Sequence, residues 1–212
     1  FMYSNAALDV QHDTQPAFHQ QISSALNDYG WSVVDNYVPD SLLNELLSES
    51  RLLKASGQFR QAGIFNGTVD KKERSDLINW INPLSPLPAQ SDFLQQMDSL
   101  RYYLNRENYL GLFDLELHAA VYPSGSYYRK HIDNFHQSSR RILTVILYLN
   151  TNWQTRDEGQ LRLYLPKKTI DIEPVGGRLV TFLSKGFHHE VLPTRRDRYS
   201  LTGWFRRNEL FI

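Results

Sequence analysis

Apolar residues in the first half of the chain recur at helical spacing, whereas in the second half they recur in short β-rich runs. Phe18, Ile22, Ala25 and Leu26 between Pro16 and Asp28 predict a helix that stops before Gly30, a residue suited to a helix C-terminus. Trp31 to Tyr37 reads as a strand. Asp40 is placed to cap a second helix whose stripe is Leu42, Leu43, Leu46, Leu47 and Leu53, ending near Gly57. A third helix is predicted across Asp92 to Asn105, with Phe93, Met97, Leu100 and Leu104 on one face. Such faces are usually buried, so all three helices are expected to pack on a sheet.

From Leu112 onward, strand-like segments alternate with turn signals: Leu115 to Tyr122, Ile142 to Leu149, Gln160 to Leu165, Arg178 to Leu183, His189 to Leu192 and Tyr199 to Arg206. Helices followed by strands imply an α+β fold, a sandwich or barrel of the jelly-roll kind buttressed by N-terminal helices. The 212 residues suit one domain over 1–212. Within it, 1–110 is mainly helical support with a flap near 57–75, and 111–212 is the β-core.

Composition narrows the class. With 41% hydrophobic and 22% charged residues, neither disorder nor a fibrous repeat is indicated. Lys+Arg and Asp+Glu balance at 23 each, so no global field draws the chain to nucleic acid or an anionic membrane. The longest apolar stretch, Ile142 to Leu149, is far short of the roughly 20 residues that span a bilayer. There are no cysteines, which excludes disulfides and thiolate metal sites. Phe1 to Gln15 lacks the apolar centre of a secretion signal, and Met2 behind Phe1 reads as a start behind a cloning remnant; a cytoplasmic location is expected.

The chemistry centres on His131-Ile132-Asp133 and a later His188-His189-Glu190. His131 and Asp133 are two residues apart, so on an extended strand both would face one way. Two imidazoles and a carboxylate form a facial triad for Fe(II) that keeps coordination positions open. Either His188 or His189 could complete it. Arg198, on the following strand-like segment, could clamp a carboxylate through its planar fork. If Tyr128 shares the strand of His131, alternation turns it to the opposite face unless the strand bends. Gly57 to Ser75, with Gly57, Gly63, Gly67, Arg60, Asp70, Lys71, Lys72 and Arg74, reads as a substrate flap or as an ordinary solvated loop. His12, His19 and His136 read as surface residues, His118 as a packed histidine and Glu190 as structural. Arg140-Arg141, Arg195-Arg196 and Arg206-Arg207 read as solvated faces.

These residues resemble the 2-oxoglutarate- and Fe(II)-dependent prolyl 4-hydroxylases, most closely the oxygen-sensing type that modifies hypoxia-inducible factor. The resemblance runs through Tyr122-Pro123, His131-Ile132-Asp133-Asn134, Tyr148-Leu149-Asn150, Trp153, Asp171 to Pro174, His189-Glu190-Val191 and Arg198 to Trp204. Arg74 to Ile81 resembles the family's mobile loop and the strand after it. The stretch between Tyr122 and His131 is one residue shorter than in the animal enzymes.

The resemblance implies a double-stranded β-helix and makes His131, Asp133 and His189 the iron ligands. It assigns Arg198 and Tyr148 to the distal carboxylate of 2-oxoglutarate and puts Tyr122 near its chelating end, with Thr202 and Trp204 lining the same pocket. Arg74, Asp76 and Tyr128 are candidate substrate contacts. The implied reaction consumes O2 and 2-oxoglutarate, with ascorbate as a candidate reductant, and hydroxylates a proline in a protein or peptide. Elongation factor Tu is one candidate target. Action on another residue or a small molecule, or a non-catalytic metal-binding interaction domain, are the alternatives.

Overall fold

A computed structural model describes residues 14–63, 70, 72–133 and 140–208. Helix α1 (Thr14–Tyr29) ends at Gly30, whose φ of 78° lies in the left-handed region that glycine enters freely. Strand β1 (Trp31–Val34) is shorter than the expected run to Tyr37, because Asn36 turns the chain with a φ of 54°. Helix α2 (Asp40–Ala55) is preceded by Pro39 as its N-cap, and the cap makes no side-chain hydrogen bond. Asp40 is therefore not the cap; it is the first helical residue, where its charge favours the positive end of the helix.

Helix α3 (Pro88–Asn108) starts four residues before the expected Asp92. Pro88 occupies the first turn, where its missing N–H costs nothing. Gln90 Oε1 accepts the Leu87 N–H at 3.1 Å, and Glu49 on α2 accepts the Ala89 N–H at 2.9 Å. Those exposed donors are thus met from two directions. His19 corrects another expectation: it is 4% exposed, beside Tyr37 and Tyr103, and burial lowers its pKa.

The strands are β2 (Arg60–Gln61), β3 (Leu77–Trp80), β4 (Asp114–Tyr122), β5 (Tyr128–His131), β6 (Arg141–Tyr148), β7 (Leu161–Tyr164), β8 (Thr169–Ile172), β9 (Leu179–Leu183), β10 (His188–Val191) and β11 (Arg198–Arg206). They form a seven-stranded sheet ordered β1-β9-β6-β11-β4-β3-β2 and a four-stranded sheet ordered β5-β10-β7-β8. Their pairings are antiparallel, and together the sheets make a jelly roll.

Period-two alternation divides the large sheet into two faces. Leu117, Ala119, Val121, Leu143, Val145, Leu147, Leu201 and Phe205 face the helices and join Leu46, Phe93, Met97, Leu100 and Leu104 in one core. Ala120, Tyr122, Ile146, Tyr148, Val180 and Phe182 face the other way, against Leu161, Leu163, Ile172 and Val191 of the small sheet. Functional side chains on the large sheet use this second face. Among the described residues no helix is long and apolar enough to cross a membrane.

Candidate metal and co-substrate site

His131 ends β5, His189 lies on β10, and the two are cross-strand partners in the small sheet. Asp133 is not on the strand, as expected from alternation, but in a bend just after it. The chain turn, rather than the pleat, brings its carboxylate round. One ligand atom from each residue lies within 4.8 Å of the others, a set that can hold a metal ion. The two Nε2 atoms are each 3.6 Å from an Asp133 oxygen. His189 is 4% exposed, whereas its neighbour His188 is exposed on the outer face of β10. Alternation therefore decides between them. Glu190 also points outward, accepting a 2.6 Å bond from the Tyr164 hydroxyl.

Backbone carbonyls orient both rings. His131 Nδ1 lies 2.7 Å from the Arg129 oxygen and His189 Nδ1 lies 3.2 Å from the Phe187 oxygen. A carbonyl can only accept, so each Nδ1 carries the proton and each Nε2 offers its lone pair inward. Asp133 is held by a residue the sequence did not single out. Thr144 on β6 donates to its Oδ2 at 2.7 Å, and the Thr144 hydroxyl is 2.9 Å from that of Ser184. Burial pushes the Asp133 carboxyl upward, but His189 and His131 overcome this and hold it far below the usual carboxylate range. Burial followed by the field of His131 pushes His189 down to about 4, so its ring is neutral at physiological pH.

Tyr128 reaches the site against simple alternation. From His189 to Val191 is two residues, yet their partners His131 and Tyr128 are three apart, so β5 carries one extra residue. Such a bulge cancels the pleat and returns Tyr128 to the face of His131. The two rings stack with centroids 3.6 Å apart and planes 15° apart. Arg74 covers the Tyr128 ring, its guanidinium carbon 4.1 Å from the centroid. It also holds Asp76 through two bonds of 2.8 and 2.6 Å. Asp76 is wholly buried. The return limb of the expected flap is thereby joined to β5, helped by Ser75 N–H donating to Tyr127 O and Arg129 N–H donating to Glu73 O. The middle of that flap, 64–69 and 71, lies outside the described residues, as do His12, Asn134 and His136.

Arg198 starts β11 on the inter-sheet face of the large sheet and is 1% exposed. Its Nε donates to Gly159 O at 2.9 Å, and its guanidinium carbon is 5.0 Å from the Tyr122 ring and 4.9 Å from the Tyr148 ring. Among the described residues no carboxylate pairs with it, although other half-buried arginines, such as Arg74, Arg141, Arg178 and Arg206, each meet an acid. The Tyr148 hydroxyl is also buried without a hydrogen-bond partner. A buried cation beside an unused hydroxyl fits an incoming carboxylate, because protein interiors seldom leave such groups unmet.

Thr202 and Trp204 share the Arg198 face but sit four and six residues further along β11. At about 3.3 Å per residue this is roughly 13 and 20 Å. Trp204 lies among His118, Trp80 and Arg141, and its indole sits against the Asp133 carboxylate, helping to hold that group ionised. The surface arginine pairs are largely neutralised: Arg195 meets Glu158, Arg196 meets Asp157, and Arg206 meets Asp114 and Glu116.

Residues 117–206 match the 2OG-Fe(II) oxygenase superfamily. A Pseudomonas putida prolyl-4-hydroxylase structure is 41% identical, with 90% of this chain and 99% of that chain covered and a TM-score of 0.84. A Trichoplax adhaerens prolyl hydroxylase in complex with a hypoxia inducible factor oxygen degradation domain peptide fragment is 29% identical, over 97% and 94% of the two chains, with a TM-score of 0.87. Human prolyl hydroxylase EGLN3 is 30% identical over 88% of this chain and 82% of its own length. Two longer animal relatives are spanned over only 28% and 46% of their lengths. The His-Asp-His donor triad, the buried arginine without an acid partner among the described residues and these likenesses converge: the chain belongs to the prolyl hydroxylase family of the 2OG-Fe(II) oxygenase superfamily.

Proposed function

We propose that the protein is a peptidyl-proline 4-hydroxylase in which His131, Asp133 and His189 hold Fe(II) and Arg198 holds the distal carboxylate of 2-oxoglutarate. The observation that carries this reading is the buried Arg198, unpaired with any acid among the described residues, facing the same inter-sheet space as the triad. A structural metal site would have no use for it. With Fe(II), 2-oxoglutarate and O2 bound, such a centre couples decarboxylation of 2-oxoglutarate to succinate and CO2 with insertion of one oxygen atom into a C–H bond.

The residues' own tasks follow from their environments. Nδ1 protonation of both histidines presents Nε2 to the metal, and Thr144 fixes which oxygen of Asp133 stays available. Tyr148, with its spare hydroxyl, supports the carboxylate on Arg198, and Tyr122 walls the same space. Three protein ligands leave the remaining positions for the co-substrate and O2. Tyr128, backed by Arg74 and Asp76, forms a rigid aromatic wall beside His131, suited to a proline ring.

A peptide target is supported by the Trichoplax relative, which was captured with a hypoxia inducible factor peptide fragment. We take the whole chain as one domain located in the cytoplasm, and elongation factor Tu and ascorbate remain candidate substrate and reductant. Anaerobic loading with Fe(II) and 2-oxoglutarate, then O2 and a proline peptide library, should give succinate and peptides heavier by one oxygen. Succinate without any oxidised proline would overturn the choice of substrate, and no succinate at all would overturn the reaction.

A further inference from the structure

The inter-sheet space near the metal site contains a buried polar atom that the fold leaves unused, the Nδ1 of His118. His118 on β4 shares its face with Ala120 and Tyr122, pairs across the strands with Thr202 and Trp80, and is 3% exposed. Its Nδ1 is buried with no hydrogen-bond partner. Trp204 is 8% exposed, and its indole N–H lies beside the Asp133 carboxylate. The two rings are 5.5 Å apart, and Trp80, 52% exposed, packs edge-on to His118 at 4.9 Å. Native interiors rarely strand a polar side-chain atom in this way. The half-exposed indole of Trp80 marks the side from which a ligand arrives.

We propose that His118 is a specificity residue that hydrogen-bonds a backbone amide of the peptide substrate flanking the target proline. This rests on the peptidyl-proline reading above. An amide suits the site because an uncharged imidazole presents one donor and one acceptor, as an amide does. Burial, then Arg74 and Arg141, push His118 down to about 3, so it stays uncharged at physiological pH even though Asp133 acts in the opposite sense. A carboxylate ligand is disfavoured by Asp133 nearby, and a cationic one by Arg74 and Arg141. The flanking residue's own side chain is left free to vary.

The test uses the full chain loaded with Fe(II) and 2-oxoglutarate and a peptide library with a fixed central proline and randomised flanks. The most hydroxylated peptide is resynthesised and also N-methylated at each flanking amide in turn. His118→Leu should raise KM for the peptide about tenfold, the size of one hydrogen bond between uncharged partners, and leave KM for 2-oxoglutarate unchanged. His118→Gln, which keeps a donor and an acceptor, should recover most of the loss. One N-methylated peptide should be poor with the wild type and no worse with His118→Leu. An unchanged peptide KM in both variants, or equal losses for every methylated peptide in wild type and variant, would overturn the proposal while leaving the reaction intact. If His118→Leu does not fold, peptide KM in His118→Gln compared with His118→Met decides it: equal values overturn the proposal. A wild type that oxidises no proline in the library removes the parent reading and this one together.

Discussion

A guanidinium withdrawn from water without an anion costs several kcal/mol, and Arg198 sits 1% exposed with only the Gly159 carbonyl on its Nε. Replacing it should therefore cost function and little stability. Arg198→Gln is expected to lose 2-oxoglutarate-dependent turnover by more than a hundredfold, while metal affinity and the apo melting temperature hold within a few degrees; isothermal titration and thermal denaturation measure both. Normal turnover in that variant would reject the co-substrate site. Thr144→Val removes one hydrogen bond to Asp133 at nearly constant volume. Partners of metal ligands typically contribute 10- to 100-fold in affinity, so Fe(II) binding should weaken by about that factor. Thr144 lay hidden in the sequence because a single hydroxyl within the apolar run Ile142 to Leu149 looks like an ordinary β-former. His118 carries a pH signature as well. In the fold it protonates near 3, against about 6.5 in an unfolded chain, so the unfolded state takes up a proton the native state refuses. Its contribution is full above about 6.5 and is lost as pH falls towards 3, at up to ~1.4 kcal/mol per pH unit. His189, near 4, adds in the same sense. Metal-free His118→Gln should lose urea stability less steeply than wild type between pH 6 and 4, and an equal slope would contradict the assignment.

Elements join these residues through irregularities that alternation rules do not contain. Long amphipathic helices and the strands β4, β6, β7, β9, β10 and β11 could be read within a few residues, because β-rich runs between turn signals stand out against the helical first half. β5 could not: one extra residue inverts Tyr128 relative to His131, and the bend after His131 replaces the pleat in placing Asp133. The short strands β2 and β8 carry too few residues for a period, and Lys167 and Lys168 before β8 disguise it further. The join between the flap's return limb and β5 depends on Arg74 and Asp76, a nearly dry pair under the Tyr128 ring. Breaking one side of such a pair costs about 3 to 5 kcal/mol, more than either residue's exposure on a surface could suggest. Asp76→Asn should therefore destabilise the protein by about that amount in chemical denaturation. Arg74→Met with Asp76→Leu should recover most of the stability yet keep turnover low, because the plane that backs Tyr128 is gone. If the double variant regains full turnover, the pair serves the fold alone.

At the scale of the molecule, the proposed ligands lie on different sheets, and neither sheet holds a complete site. His131 and His189 belong to the small sheet, Arg198 and Tyr148 to the large one, and Asp133 is tied across to β6 by Thr144. No local sequence pattern encodes that meeting; it arises when the apolar inner faces of the two sheets pack on each other, while the helices cover the other face of the large sheet. A metal bound by the small sheet and a dicarboxylate gripped by the large one would staple the halves together. The stabilisation should then be cooperative. A divalent metal that does not turn over, such as Zn(II), gives one rise in melting temperature, and saturating 2-oxoglutarate alone gives little. Together they should exceed the sum, since a ligand at about 100 times its Kd adds roughly 2.7 kcal/mol only when it binds the native state alone. Arg198→Gln should keep the metal's rise and lose the additional one, whereas His131→Ala should lose both. Strictly additive shifts in the wild type would mean that the co-substrate does not bridge the two sheets.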